Sequence, residues 1–466
     1  MSGFDLARYR PGDTLWLWWL GQPAAPRLVG ELRMARQTQG VSLRYAPDWL
    51  RTGFALSEDL PLIDREFLPT GKETAVGAVD DARPDRWGER VIRVLDKPPR
   101  LAVLDFLFYA GDQRFGALGV SVSPGEYLAR DTGPLPQLAD APAMQRLVRQ
   151  IVAGEPVAEA QRRLIAPGAT LGGAHPKALL DIDGQPWVIK FNEAGETIDW
   201  PLVEHATMTL AAQAGIRVAR TRPVPLPQGH ALAIERFDRE PGGQRRHALS
   251  ANVALKAAGE GLGYPELAQL LRRRGVATGG QNREQMKELF RRMVFNILID
   301  NTDDHEKNHA LLMTPNGNYE LSPAFDVLPS GRALGYQQMR VGAQAADSTL
   351  ANALSECAQF GLKKTEAQAQ VQAVCKVVDG WQAHFAQAEV APRDIESLAG
   401  QVDRGFLREQ RVGGDGWGLR AAGWHRRARP HHRYTSRRFP TRSTRTTIRE
   451  SWMSQMMRQS PTRYFQ

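Results

Sequence analysis

Three residues in the C-terminal half of the chain, Asp303, Asn308 and Asp326, have the types and order that phosphoryl transfer requires. That reaction needs a carboxylate to orient the acceptor hydroxyl, oxygen ligands for Mg²⁺, and cations or N–H groups for the phosphates. In protein kinases the first two come from an Asp, an Asn five residues on, and a later Asp. Asp303 and Asn308 have that separation and Asp304 does not, which selects Asp303 as the base. Asp-x-x-x-x-Asn alone is a weak signal, because Asp and Asn cap helix ends and turns throughout proteins. Its setting is more specific, since a long amphipathic helix, a loop, a hairpin and a second Asp follow one another in the order of a kinase C-lobe. His305, Lys307 and His309 alternate with a single carboxylate, a poor zinc set, and His305 and Lys307 read as loop support or phosphate contacts.

Upstream, Lys190 ends a predicted strand and Glu204 lies in the first turn of the next predicted helix. This is the order of a phosphate-binding lysine and the carboxylate that orients it. A solvent-facing lysine and a helix N-terminal carboxylate would look the same, and the sequence leaves both readings open. Gly172-Gly173, just before that strand pair, would let backbone N–H groups approach phosphate. The pair matches neither Walker nor Gly-x-Gly-x-x-Gly spacing.

These residues need elements to place them. Ala178–Ile182 and Trp187–Phe191 flank Asp183-Gly184, a hairpin signal. Pro201–Ala214 predicts a helix closing on Gly215, and Ala231–Phe237 a strand. Met286, Leu289, Phe290, Met293, Val294, Ile297 and Leu298 recur at helical spacing, predicting a helix over Arg283–Asp300. Strands are predicted at His309–Met313 and Tyr319–Ser322, joined by Asn316-Gly317. Before position 125 the pattern is mixed, with strands at Thr14–Leu20, Arg27–Arg33 and Phe115–Val122, and a helix opening at Arg83–Arg90 with Pro84 in its first turn. Residues 123–142 read as a hinge, and 343–406 as helical.

At 466 residues with 42% hydrophobic and 24% charged content, the chain predicts two or three packed units of an ordinary globular protein. Two cysteines, Cys357 and Cys375, predict no disulfide framework and a reducing compartment. The short aromatic run Leu15–Leu20 carries acidic flanks, unlike a signal peptide, and no apolar run is long enough for a membrane span. The expected location is cytoplasmic. The net charge of +9 lies in residues 411–466, which hold thirteen Arg against Asp415 and Glu450 alone. The near-neutral remainder argues against direct DNA binding, and the Arg-rich tail reads as disordered or as a non-native extension.

Taken together, these motifs resemble the HipA family, serine/threonine protein kinase toxins of bacterial toxin–antitoxin pairs. The resemblance runs from about Phe4 to Phe406. It is carried by Gly172–Lys177, Glu235-Arg236-Phe237-Asp238-Arg239, Thr302–Asn308, Pro323-Ala324-Phe325-Asp326 and Pro84-Asp85-Arg86-Trp87-Gly88. It implies an α+β, protein-kinase-like two-lobed fold with an extra N-terminal α/β domain (1–125). A kinase-like N-lobe (126–240) and a mainly helical C-lobe (241–410) would follow, with the tail at 411–466. It implies ATP and Mg²⁺ as cofactors, Asp303 as base, Asn308 and Asp326 as Mg²⁺ ligands, and Lys190 on the phosphates. Glu235–Phe237 would hold adenine by their backbone with Asp238 nearby. Thr170 would be an autophosphorylation site whose dianion displaces the Gly-rich loop. A HipB-like helix-turn-helix antitoxin, DNA reached only through it, and an aminoacyl-tRNA synthetase as protein substrate complete the implied partners. Two departures stand out: many members have Gln where His175 stands, and the tail has no counterpart in the family. A weakly active partner working through antitoxin binding and transcriptional autoregulation, or a small-molecule kinase, remain alternatives, because the same Asp/Asn/Asp set serves those enzymes too.

Overall fold

In the computed structural model, residues 12–128, 130, 133–165, 175–330 and 332–413 are described. They lie within one unit, Met1–Gly418, and the second unit, Leu419–Gln466, falls outside the described residues. Thr170, Gly172 and Gly173 fall outside them as well.

The N-terminal sheet is antiparallel, in the order β4-β3-β2-β1-β5. Its strands are β1 (Thr14–Trp19), β2 (Arg27–Ala35), β3 (Gly40–Tyr45), β4 (Glu66–Phe67) and β5 (Leu118–Ser121). β1 does not alternate cleanly: Leu17 and Trp18 are both buried, because the register with β2 shifts between them. Such a bulge turns successive side chains inward. Strand β3 carried no clear period and was not predicted. The helix after Pro84 starts two residues later than its proline suggests. Asp85 caps it, accepting from the Gly88 N–H at 2.8 Å, so the helix is Arg86–Val91 and Pro84 precedes it.

The second sheet runs β6-β7-β9-β8, with β6 (Lys177–Ile182), β7 (Gln185–Phe191), β8 (Thr221–Pro225) and β9 (His230–Glu235). Asp183 and Gly184 have φ of 55° and 79°, the left-handed pair that a two-residue hairpin requires. Alternate residues serve two cores. Leu179, Val188, Leu232 and Ile234 join the main core, while Ala178, Leu180, Trp187, Ile189 and Ala233 pack with Trp87, Val91 and Leu147. The helix Trp200–Gln213 ends before Gly215, whose φ of 72° closes it. The stretch read as a hinge is partly fastened to this sheet, with the Asp181 N–H donating to the Pro136 carbonyl at 2.7 Å.

The C-terminal part is built around the helix Gln281–Leu298, which buries polar as well as apolar residues. Beside it lies a small sheet β10-β11-β12 (Ala248–Ser250, Ala310–Met313, Tyr319–Leu321). Helices resume only at Leu350, because the chain at 343–349 turns through Ala345 at φ 51°, overriding its helix-favouring composition. Arg411, read as the start of the tail, belongs to the last described helix, Gly405–Val412, and pairs with Asp379 and Asp403 at 2.8 and 2.6 Å. Cys357 and Cys375 are free and buried. Among the described residues, no helix is long and apolar enough to cross a membrane.

Candidate active site

The end of β7 and the helix Trp200–Gln213 bring Lys190 and Glu204 together. Lys190 Nζ lies 2.8 and 3.0 Å from the two carboxylate oxygens of Glu204, and 2.5 Å from Asp326 Oδ1. The trio is largely buried. Burial works against the Lys190 charge, but Asp326 and Glu204 hold its affinity for the proton above the usual lysine range. Burial raises Glu204 despite Lys190, whereas in Asp326 the lysine outweighs burial and the carboxyl is held low. Asp326 takes a left-handed backbone, φ 60°, a conformation that costs energy in a residue other than glycine. The Phe325 ring packs against Phe237 with centroids 5.4 Å apart, anchoring the residue before it.

The loop after the long helix separates its two aspartates. Asp304 is buried and accepts from His309 Nε2 at 2.8 Å and from the Tyr264 hydroxyl. Burial opposes its charge, but His309 and Tyr264 together hold it below the usual carboxylate range. Asp303 is 55% exposed, 3.6 Å from Arg332. Its carboxylate therefore faces the cleft while that of Asp304 supports the loop from beneath. Asp300, at φ 59°, closes the preceding helix and is held by Arg404 at 2.6 Å. Asn308 is buried, and among the described residues its Oδ1 has no hydrogen-bond partner.

Asp303, Asn308, Asp326, Lys190 and Glu204 line one cleft of about 250 Å³. A wider cavity of about 920 Å³ adjoins it, sharing Asp303 and Asp326 and adding Lys307, His305 and, from the N-terminal unit, Asp81, Asp85 and Arg86. An unpartnered amide oxygen beside a carboxylate is a hard oxygen donor set, suited to Mg²⁺, and an adjoining lysine suits phosphate, so these residues fit a metal–nucleotide.

Other expected residues sit differently. The N–H groups of Glu235 and Arg236 are donated to the carbonyls of Arg220 and Pro186, at 2.9 and 3.3 Å. The Glu235 side chain pairs with Arg220 at 3.2 Å. Within that stretch, and among the described residues, the Phe237 N–H has no backbone partner. Asp238 does not face the cleft. It is fully buried between Arg236 and Arg239, both at 2.7 Å, and accepts from the Gly116 N–H at 2.8 Å. Burial is outweighed there by the two guanidinium groups, which keep it ionised. Asp238 thus clamps the N-terminal unit to the second sheet. Sequence reading missed Arg332 beside Asp303, and the contact of Lys177 with Asp85 at 2.5 Å. The Asp85 segment was singled out by its motif, but nothing in its spacing pointed to a partner 92 positions away.

Comparison with known proteins agrees with this architecture. Residues 24–121 match the HipA N-terminal domain and residues 169–381 the HipA-like C-terminal domain, together well over half of the chain. The chain belongs to the HipA family. The serine/threonine-protein kinase toxin HipA of Shewanella oneidensis is 25% identical over 339 residues, 65% of this chain and 72% of that protein. The protein Y4dM of Sinorhizobium fredii is 32% identical over 157 residues, covering 31% of this chain and 37% of that one. A solved complex of Shewanella oneidensis HipA with HipB and its operator DNA matches with a TM-score of 0.59 at 20% identity, over 85% of this chain and 99% of that one, and shares its fold. As a HipA-family member with this α+β, kinase-like fold, the chain is an enzyme of the serine/threonine-protein kinase class.

Proposed function

We propose that this chain is an ATP- and Mg²⁺-dependent serine/threonine protein kinase and the growth-inhibiting toxin of a toxin–antitoxin pair. The observation that carries the reading is the buried Lys190 ammonium, held by Glu204 and Asp326 on the wall of a cleft that also contains Asp303 and Asn308. Asp303, exposed at the cleft, orients the acceptor hydroxyl and takes its proton. Asn308 and Asp326 offer the oxygens for the cation. Lys190, oriented by Glu204, and Lys307 stabilise negative charge, with Gly172 and Gly173 supplying N–H groups from outside the described residues. Phe237, with the Glu235 carbonyl, holds the base, and Asp238 leaves the ligand set for its structural role. Bound Mg-ATP supplies the phosphoryl group and neutralises its charge.

In this reading Thr170 is the autophosphorylation site, the partner is a HipB-like helix-turn-helix antitoxin through which the pair reaches DNA, and the cytoplasmic substrate is a protein such as an aminoacyl-tRNA synthetase. The relatives' names and the complex with HipB and operator DNA support the antitoxin. The test is phosphoryl transfer from γ-labelled Mg-ATP to lysate proteins, comparing wild type with Asp303→Asn. Label on one lysate protein and on Thr170, lost in a folded variant, is expected. Full turnover by that variant would overturn the role of Asp303.

A further inference from the structure

The segment from Asp81 to Trp87 of the N-terminal unit touches both sides of the cleft. Asp81 accepts from the Ser250 N–H at 2.6 Å and from its hydroxyl at 2.7 Å, and Ser250 caps the C-terminal helix Ala251–Ala257. Four residues on, Asp85 divides its two oxygens. Oδ1 caps its own helix through Gly88, and Oδ2 lies 2.5 Å from Lys177 Nζ. Trp87 Nε1 then donates to the Lys177 carbonyl at 2.6 Å.

Lys177 is thereby held by side chain and main chain at once. It stands at the start of β6, paired in register with Lys190 on β7. Its side chain is 1% exposed, and Lys190, its cross-strand neighbour, lies 2.5 Å from Asp326. A buried ammonium that loses its carboxylate is left as a poorly compensated charge, and here it would stand one strand away from the Lys190–Asp326 contact at the metal–nucleotide end of the cleft.

We propose that Asp85 and Trp87 are positioning residues for nucleotide binding, acting through Lys177, which makes the N-terminal unit a working part of the ATP site. The proposal rests on the kinase reading above. Asp85 keeps Lys177 away from Asp326, leaving that carboxylate to the cation. Trp87 fixes the backbone from which Lys177 projects.

The test uses the full chain. Asp85→Asn retains an acceptor for the Gly88 N–H, so the helix cap survives, but it removes the charge opposite Lys177. Trp87→Phe keeps an aromatic ring in the core and removes the N–H together with the pyrrole part of the indole. Dissociation of a non-hydrolysable ATP analogue is measured by calorimetry, alongside KM for ATP, kcat and Tm. Asp85→Asn is expected to raise Kd and KM about tenfold, the scale of one charged hydrogen bond. Trp87→Phe moves them in the same direction by about threefold, with kcat held within about threefold of wild type in both. Unchanged Kd in both variants overturns the proposal. So does a fall in kcat and Tm with Kd intact, which would mark a purely structural tie. Failure of the wild type itself to bind the analogue would instead overturn the kinase reading beneath it.

Discussion

Replacing Lys190 by Met tests whether the trio at the cleft is held by its cation. The lysine is 11% exposed, Glu204 5% and Asp326 21%. Met fills the volume of the lysine stem and leaves two carboxylates facing each other. Breaking a buried ion pair by removing one partner costs roughly 3–5 kcal/mol. Asp326 reaches the cleft and can rehydrate, so the lower end applies, about 3 kcal/mol. That is a large part of a domain's usual stability of about 5–15 kcal/mol, yet the variant should fold. The loss should also depend on pH. Glu204 is already raised in the folded protein, and without Lys190 it rises further. An acid whose folded pKa exceeds its unfolded value contributes stability below the unfolded value and loses it as pH rises through the folded one. The deficit should therefore be largest near about pH 8 and shrink toward about pH 5. Urea denaturation followed by tryptophan fluorescence at both pH values measures it. The double variant Lys190→Met with Glu204→Leu removes the stranded charge and should recover about 2 kcal/mol. A loss below about 1 kcal/mol, a loss independent of pH, or no recovery in the double variant would refute the reasoning.

Two further outcomes follow from buried groups elsewhere. His247 donates from Nε2 to the Leu56 carbonyl at 2.8 Å, and burial pushes its pKa down to about 4. Its neutral form supports the fold above the unfolded value of about 6.5, and that support drains as pH falls toward about 4. The wild type should lose about 2 kcal/mol between about pH 7.5 and pH 5 that His247→Gln does not lose, as urea titrations at the two pH values would show. Tyr264→Phe removes a donor from the buried Asp304 and should cost about 1–2 kcal/mol. Because Asp304 supports the loop that carries Asp303, kcat should fall several-fold with KM for ATP little changed, read from steady-state kinetics.

Much of the local structure could be read from the residues themselves. Asp183-Gly184 imposes the left-handed angles of a tight hairpin, and the apolar spacing from Met286 to Leu298 specifies one face of a helix. Both depend on neighbours in the chain. The preference for Asp303 over Asp304 rested on spacing alone; only the structure places Asp304 against His309 and Tyr264 beneath the loop and leaves Asp303 in solvent. Where local preference competed with packing, the reading failed. Residues 343–349 have helix-favouring composition but turn through Ala345. Asp238, which the resemblance placed near the base, is held between two arginines.

The sequence alone determined which residue types were present, in what order, and which turns and periods they favour, because those are properties of neighbouring residues and their backbone angles. From these it specified the helix, the hairpins and an Asp/Asn/Asp set with the order of a phosphotransferase. Only the tertiary structure decided that Lys190 meets both Glu204 and Asp326, 14 and 136 positions away, and that Asp85 reaches Lys177. Contacts at such separations are set by how whole sheets and helices bury their apolar faces, and short-range patterns carry no record of that packing.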